Sequence, residues 1–325
     1  MGSTIIPRPT KALAAGIVAA AFGTAQVPPS VEFRHLYTFG SKQGIHPPRI
    51  LNRKLAKAAV GAGEHPYGLA SPSGVTTDQQ RRVWITDSGT ASVHIFDEAK
   101  STYREIRRAG EYPLQQPSGI ATDAAGRIYL ADSGTGGLYV FDERGEYDRA
   151  MIKPGSPVLE HPAAIAFSAD QRTVYVADPP RNIVVALNRE GEVNGTINLP
   201  PDLSNPGSIA VIHNQVYVLG NQRHKISGFS PAGLARDTLG WDGVRFPTAF
   251  TFDAARGWYF VANPQWGIVQ IFDEQGRNLG AFGRFGDGVD QMRRVDALHV
   301  DPQGLLYVVD SQHGKVLVFA DSAQP

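Results

Sequence analysis

From residue 72 onward the chain alternates short apolar runs with polar turns. Pro117–Asp142, PSGIATDAAGRIYLADSGTGGLYVFD, carries the pattern in full. A Pro-x-Gly entry leads into an alternating apolar run and a polar turn. A second run follows and ends in Asp, then a short polar loop and a third run. Each run is four to six residues long, the length of an ordinary strand. The pattern recurs in step. The residue ending the second run is Asp87 in VWITD, Asp132 in IYLAD, Asp178 in VYVAD, Gly220 in VYVLG, Asn263 in YFVAN and Asp310 in LYVVD. Successive spacings are 45, 46, 42, 43 and 47 residues. The entry element lies 14 to 16 residues earlier each time, at Pro72, Pro117, Pro162, Pro206, Pro247 and, degenerate, Val295.

A fourth, more polar run follows the third, as at 146–152 or 276–282. Four strands per unit at this period predict an all-β, six-bladed propeller of four-stranded blades. The sixth unit stops after its third strand. Glu32–Gly40, EFRHLYTFG, resembles the fourth strand of unit five, RNLGAFG at 277–283. The N-terminal strand, about 32–40, is therefore expected to complete the last blade. Ring closure removes the exposed sheet edges that invite aggregation.

These repeats resemble the NHL family of six-bladed propellers, over about residues 31–320. The resemblance rests on Pro-x-Gly-(Ile/Val), Tyr-Val-Ala-Asp-Ser and the run ending Phe-Asp. It weakens where Gly220-Asn221 replaces Asp-Ser and where unit six lacks its proline. Such propellers serve as enzymes, RNA binders and docking platforms, so the resemblance implies fold more than function. The family's peptidyl-hydroxyglycine amidating lyases carry zinc-ligating histidines just after the entry proline in several blades. Those positions here are Ser73, Ser118, Ala163, Gly207, Thr248 and Asp296. A three-histidine zinc site of that kind is absent.

Composition narrows the classes. Lys+Arg and Asp+Glu balance at 31 each, so no overall field favours nucleic acid or an acidic partner. Cysteine is absent, which excludes disulfides, thiolate metal sites and a Cys nucleophile. Arg8 and Lys11 precede the Ala-rich run 12–23, and Gly23-Thr24-Ala25 follows with small residues. This is the layout of a secretory signal peptide over residues 1–25, with a disordered leader as the alternative. The run is too short to span a bilayer. The expected location is periplasmic or secreted, and the expected state is a monomer.

The interval 41–71 interrupts the rhythm between the N-terminal strand and unit one. Loops of that length are usually functional or structured. Within it, RILNRKLAKAAV at 49–60 groups Ile50, Leu51, Leu55, Ala58 and Ala59 near one helical face, with Arg53, Lys54 and Lys57 on others. Pro47-Pro48 and Gly61 supply start and stop signals. A short basic helix is predicted, beside the channel mouth. Lys42, Arg49, Arg53, Lys54 and Lys57 against Glu64 give the interval a net charge of +4.

Candidate chemistry is placed on the face where the innermost strands begin and the second strands end. The residues preceding the entry position include His161, Asn205 and Arg294, and Arg293-Arg294 could clamp a carboxylate or phosphate. Tyr67, Arg53, Lys54 and Lys57 join them as ligand contacts contributed by the insertion. Asp87, Asp132, Asp178 and Asp310 are read as turn-closing residues that accept amides within their own turns. An axial calcium ion is the alternative use of that row; otherwise no cofactor is expected. His224 and His313 are read as repeat residues. With neither a Ser-His-Asp pattern, HExxH nor a P-loop in the sequence, the expected function is non-catalytic binding of a protein, peptide or carbohydrate. The alternatives are a metal-assisted lyase or lactonase-type hydrolase, and an RNA-binding propeller.

Overall fold

The computed structural model describes residues 31–39, 68–100, 102–220, 226–241, 244 and 246–323. The apolar runs are strands. β1 spans Phe33–Phe39. Blade one holds β2 (Pro72–Thr77), β3 (Val83–Asp87), β4 (Ser92–Asp97) and β5 (Thr102–Ile106). A small hairpin, β6 (Arg108–Ala109) and β7 (Tyr112–Pro113), leads to blade two. That blade is β8 (Pro117–Thr122), β9 (Ile128–Asp132), β10 (Gly137–Phe141) and β11 (Tyr147–Ile152). Blade three is β12 (Ala164–Phe167), β13 (Val174–Asp178), β14 (Ile183–Leu187) and β15 (Val193–Asn198). Blade four is β16 (Pro206–Ile212), β17 (Gln215–Gly220), β18 (Ile226–Phe229) and β19 (Ala235–Leu239). Blade five is β20 (Phe250–Asp253), β21 (Trp258–Asn263), β22 (Ile268–Asp273) and β23 (Asn278–Phe282). Blade six has β24 (Val295–Val300), β25 (Leu306–Asp310) and β26 (Lys315–Asp321).

The fourth strand of blade six is β1, giving the order β1-β26-β25-β24. β1 runs antiparallel to β26 from Phe33 opposite Asp321 to Phe39 opposite Val316. The expected closure is therefore present: three strands come from one end of the chain and one from the other. Closure is also made by side chains. Phe33 stacks on Phe282 of blade five at 4.9 Å, and Phe39 meets Phe96 of blade one at 4.8 Å.

The second and third strands read as continuous apolar runs because blades cover them on both faces. β9, β10, β13 and β14 are buried throughout. Six apolar clusters each join two consecutive blades, including one across the closure that contains Phe39, Val75, Ile85 and Val316. Each fully buried Val, Leu, Ile or Phe contributes roughly 1.5–3 kcal/mol. No blade buries both of its faces without its neighbours.

The turns at the far face repeat as well. The Oδ1 of Asp78 accepts the amides of Gln80 and Arg82, and Asp123 and Asp301 do the same two and four residues ahead. Asp is favoured there because its short side chain closes a turn on its own backbone.

Candidate functional site

On the entry face the second strand of blades one, two, four and six ends opposite the first residue of its innermost strand. Pro72 faces Asp87, Pro117 faces Asp132, and Val295 faces Asp310. The Asp carboxylates are buried and tie the incoming loop to the blade. Asp87 accepts Ala70 N–H at 2.6 Å and Ser71 N–H at 2.9 Å, together with the amides of Gly89 and Thr90. Asp132 takes Gln115, Gln116 and Gly134, Asp178 takes Glu160 and His161, and Asp310 takes Arg293 and Arg294. The own-turn reading of this row is thus incomplete. Most of the donors lie 16 to 18 residues upstream, in the loop that precedes the entry.

The hydroxyls after the entry position fasten one blade to the next. Ser73 Oγ donates to the Pro117 carbonyl at 2.8 Å and Ser118 Oγ to Pro162 at 2.6 Å; Thr248 Oγ1 donates to Val295. They hold the innermost strands in mutual register.

His161, Asn205, Arg293 and Arg294 all lie on the entry face, spread over blades three, four and six. His161 is exposed, and its Nδ1–H donates to the Ser133 carbonyl at 2.6 Å. Asn205 is exposed with φ of 57°, a left-handed conformation in which Asn is several-fold enriched. Its identity therefore has a backbone cause. Arg293 pairs with Asp287, and Arg294 Nε with Asp296 Oδ1 at 2.9 Å. Arg53, Lys54, Lys57 and Tyr67 lie outside the described residues, as does the predicted helix.

Sequence reasoning passed over a group of exposed apolar side chains on this face. Phe246, Trp266, Phe285 and Val289 are 56%, 50%, 54% and 50% exposed. They account for four of the six strongly exposed large apolar side chains among the described residues, so exposed apolar surface concentrates at blades five and six. Trp266 occupies the loop after Asn263, and Phe285 and Val289 the connection 283–292. The two loops touch: a Cβ added at Gly267 would lie 2.5 Å from the Phe285 Cα.

Buried polar contacts hold that connection in place. Lys315 donates to the carbonyls of Gly288 and Val289, and burial pushes its pKa down. His313 bridges Asp310 at 2.6 Å and Asp287 at 2.8 Å. The hydrogen bond from His313, followed by that from Arg293, holds the Asp287 carboxyl below its usual range. Arg293 also lies 5.5 Å over the Phe285 ring. The available signal was Pro264-Gln265-Trp266, where units one and two have Ser-Gly-Thr.

The innermost strands enclose an axial cavity of about 860 Å³ that reaches the far-face turns at Asp78, Asp123, Asp253 and Asp301. Among the described residues, no three His, Asp or Glu side chains are grouped to hold a metal ion. No helix among them is long and apolar enough to cross a membrane.

Residues 69–96 match the NHL repeat. No curated protein matches the sequence. Among solved structures, catalytically inactive virginiamycin B lyase from Staphylococcus aureus with quinupristin is similar in fold. Its TM-score is 0.58 at 14% identity, over 80% of this chain and 85% of that one. A structural genomics protein of unknown function from Bacteroides thetaiotaomicron gives 0.67 at 14% identity, over 89% and 75%. Kuenenia stuttgartiensis hydrazine synthase gives 0.58 at 13%, over 82% and 99%. At such identities the likeness is one of fold. Six closed four-stranded blades make this chain a six-bladed β-propeller, and the match over 69–96 places an NHL repeat in its first blade.

Proposed function

We propose that this propeller is an exported, non-catalytic binding module that takes a protein, peptide or carbohydrate partner on the entry face over blades five and six. The exposed set Phe246, Trp266, Phe285 and Val289 carries the reading. Monomeric proteins rarely expose contiguous apolar patches without a use for them, and aromatic and Arg side chains dominate binding energy at interfaces. Here the patch is rimmed by the pairs Arg284–Asp290 and Arg293–Asp287, which supply polar contacts around an apolar centre. The connection carrying Phe285 and Val289 is anchored by Lys315 and His313, so less ordering would be needed on binding. Export rests on the leader-like residues 1–25. The lyase or lactonase alternative would recruit the Asp row, whose carboxylates already accept backbone amides.

Glycan, peptide and single-stranded RNA arrays, probed with the parent protein and with Trp266→Ala and Phe285→Ala, test the proposal. Glycan or peptide ligands should be retained by the parent and lost by both variants at unchanged melting temperature. Unchanged binding by both variants counts against the patch. Binding to RNA alone, falling steeply with salt, would replace this reading with the nucleic-acid one.

A further inference from the structure

The axial cavity contains a hydrogen-bond donor that the fold does not use. His299 sits on β24 at the fifth position of the innermost strand, where the other five units have Thr76, Ala121, Ala166, Ala210 and Thr251. It lines the cavity. Its Nε2 lies 3.2 Å from the Thr77 backbone nitrogen and 2.9 Å from Thr77 Oγ1. A backbone N–H can only donate, so Nε2 must be the acceptor and the ring proton sits on Nδ1. Among the described residues that Nδ1–H has no partner. That hydrogen is not sealed inside the protein: His299 is partly exposed to the cavity it lines, beside the Tyr307 ring at 5.9 Å, so an acceptor entering the cavity can reach it.

The cavity also indicates what kind of acceptor it would take. Its size lies in the range of small-molecule sites, about 300–1,000 Å³. Val75, Ile120, Ile209, Phe250 and Leu298 supply apolar wall. The charged groups on the wall are Asp78, Asp123, Asp253, Asp296 and Asp301 against Arg256. The first four carboxylates are ion-paired, to Arg82, to Arg127 and Arg189, to Arg256, and to Arg294. Among the described residues Asp301 has amide donors but no cation within ion-pair distance, and burial pushes its pKa up. Such a wall disfavours an anion and accommodates an uncharged acceptor.

We propose that the axial cavity binds an uncharged, partly apolar organic molecule whose carbonyl oxygen accepts the His299 Nδ1 proton. The site is distinct from the entry-face patch, and neither depends on the other. Burial lowers the His299 pKa to about 4, so the ring stays neutral, with its donor in place, throughout the neutral range.

Two matched probes test the chemistry: N-acetylphenylalaninamide, which is uncharged, and N-acetylphenylalaninate, an anion of similar shape. Both are titrated to millimolar concentration into ¹⁵N-histidine-labelled full chain, with the His299 resonances assigned by their loss in His299→Phe. The resting spectrum should show the proton on Nδ1. The amide should shift that resonance, and the anion should bind about tenfold more weakly or less. His299→Phe should weaken the amide about tenfold, the effect of one hydrogen bond in a partly desolvated site. Ala297→Phe, which adds bulk to the wall and leaves the imidazole in place, should also abolish amide binding and guards against misfolding of the first variant. A proton found on Nε2, no shift with the amide, equal binding of the anion, or full affinity in either variant would overturn the proposal.

Discussion

Replacing Phe39 with Ala tests the closure of the ring at one side chain. Phe39 is the last residue of β1 and is 5% exposed. It stands opposite Val316 in register and packs at 4.8 Å against Phe96, within the cluster that joins blades six and one. Truncating a buried Phe to Ala costs about 3–5 kcal/mol, through lost burial and the cavity left behind. The space here is bounded by strands of two blades, which limits collapse and favours the upper part of that range. Against a typical total stability of about 5–15 kcal/mol, the loss is about a quarter or more. Urea unfolding followed by tryptophan fluorescence reads it as a lower midpoint at unchanged slope. Val193→Ala, at a half-exposed site, is the control and should change stability by less than about 0.5 kcal/mol. A Phe39→Ala loss no larger than the control's would refute the claim that β1 closes the ring energetically.

Two further outcomes follow from particular contacts. Gly220→Asp restores the repeat's own residue, yet it should destabilise by about 1–3 kcal/mol. The added Cβ would lie 2.6 Å from the Ser204 carbonyl oxygen and 3.1 Å from the Leu203 carbonyl carbon; a gain in denaturation midpoint would show the entry loop to be free to move. The second outcome concerns acid. His299 has its folded pKa lowered to about 4 from 6.5, so below pH 6.5 the unfolded chain takes up a proton that the folded one refuses. Stability is then lost as pH falls from 6.5 to about 4, by up to about 3 kcal/mol. The parent should show this loss relative to His299→Phe, and parallel pH curves for the two proteins would contradict it.

The fold was legible because a blade has to bury both faces of its middle strands. That need forces apolar runs such as IYLA and VYVA at a fixed period, and the unpaired run at 32–40 indicated the closure. The site was less legible. Most of the Asp row's donors lie 16 to 18 residues upstream, beyond what local turn chemistry reveals. Asn205 reads as a polar candidate but answers to a left-handed backbone. Trp266 and Phe285 resemble core residues in a chain rich in apolar runs, and only the packing of the blades leaves them in solvent. His299 shares its strand position with Thr and Ala in the other units, and its unused donor follows from a contact with Thr77, on the other side of the closure.

The division between repeat residues that build the ring and exceptional residues that bind is tested most directly by comparing Asp132→Ala with Trp266→Ala. The comparison measures thermal melting of each variant and its affinity for a ligand found on the arrays. Asp132→Ala leaves the amides of Gln115, Gln116 and Gly134 without their acceptor, at about 1–3 kcal/mol for each buried group and with less than additive effect. It should lower the melting temperature markedly while the folded fraction keeps its affinity. Trp266→Ala, at a side chain 50% exposed, should melt with the parent and bind at least about tenfold more weakly, the loss of about 1.4 kcal/mol or more expected of an aromatic contact. Lost affinity in folded Asp132→Ala, or full affinity in Trp266→Ala, would contradict it.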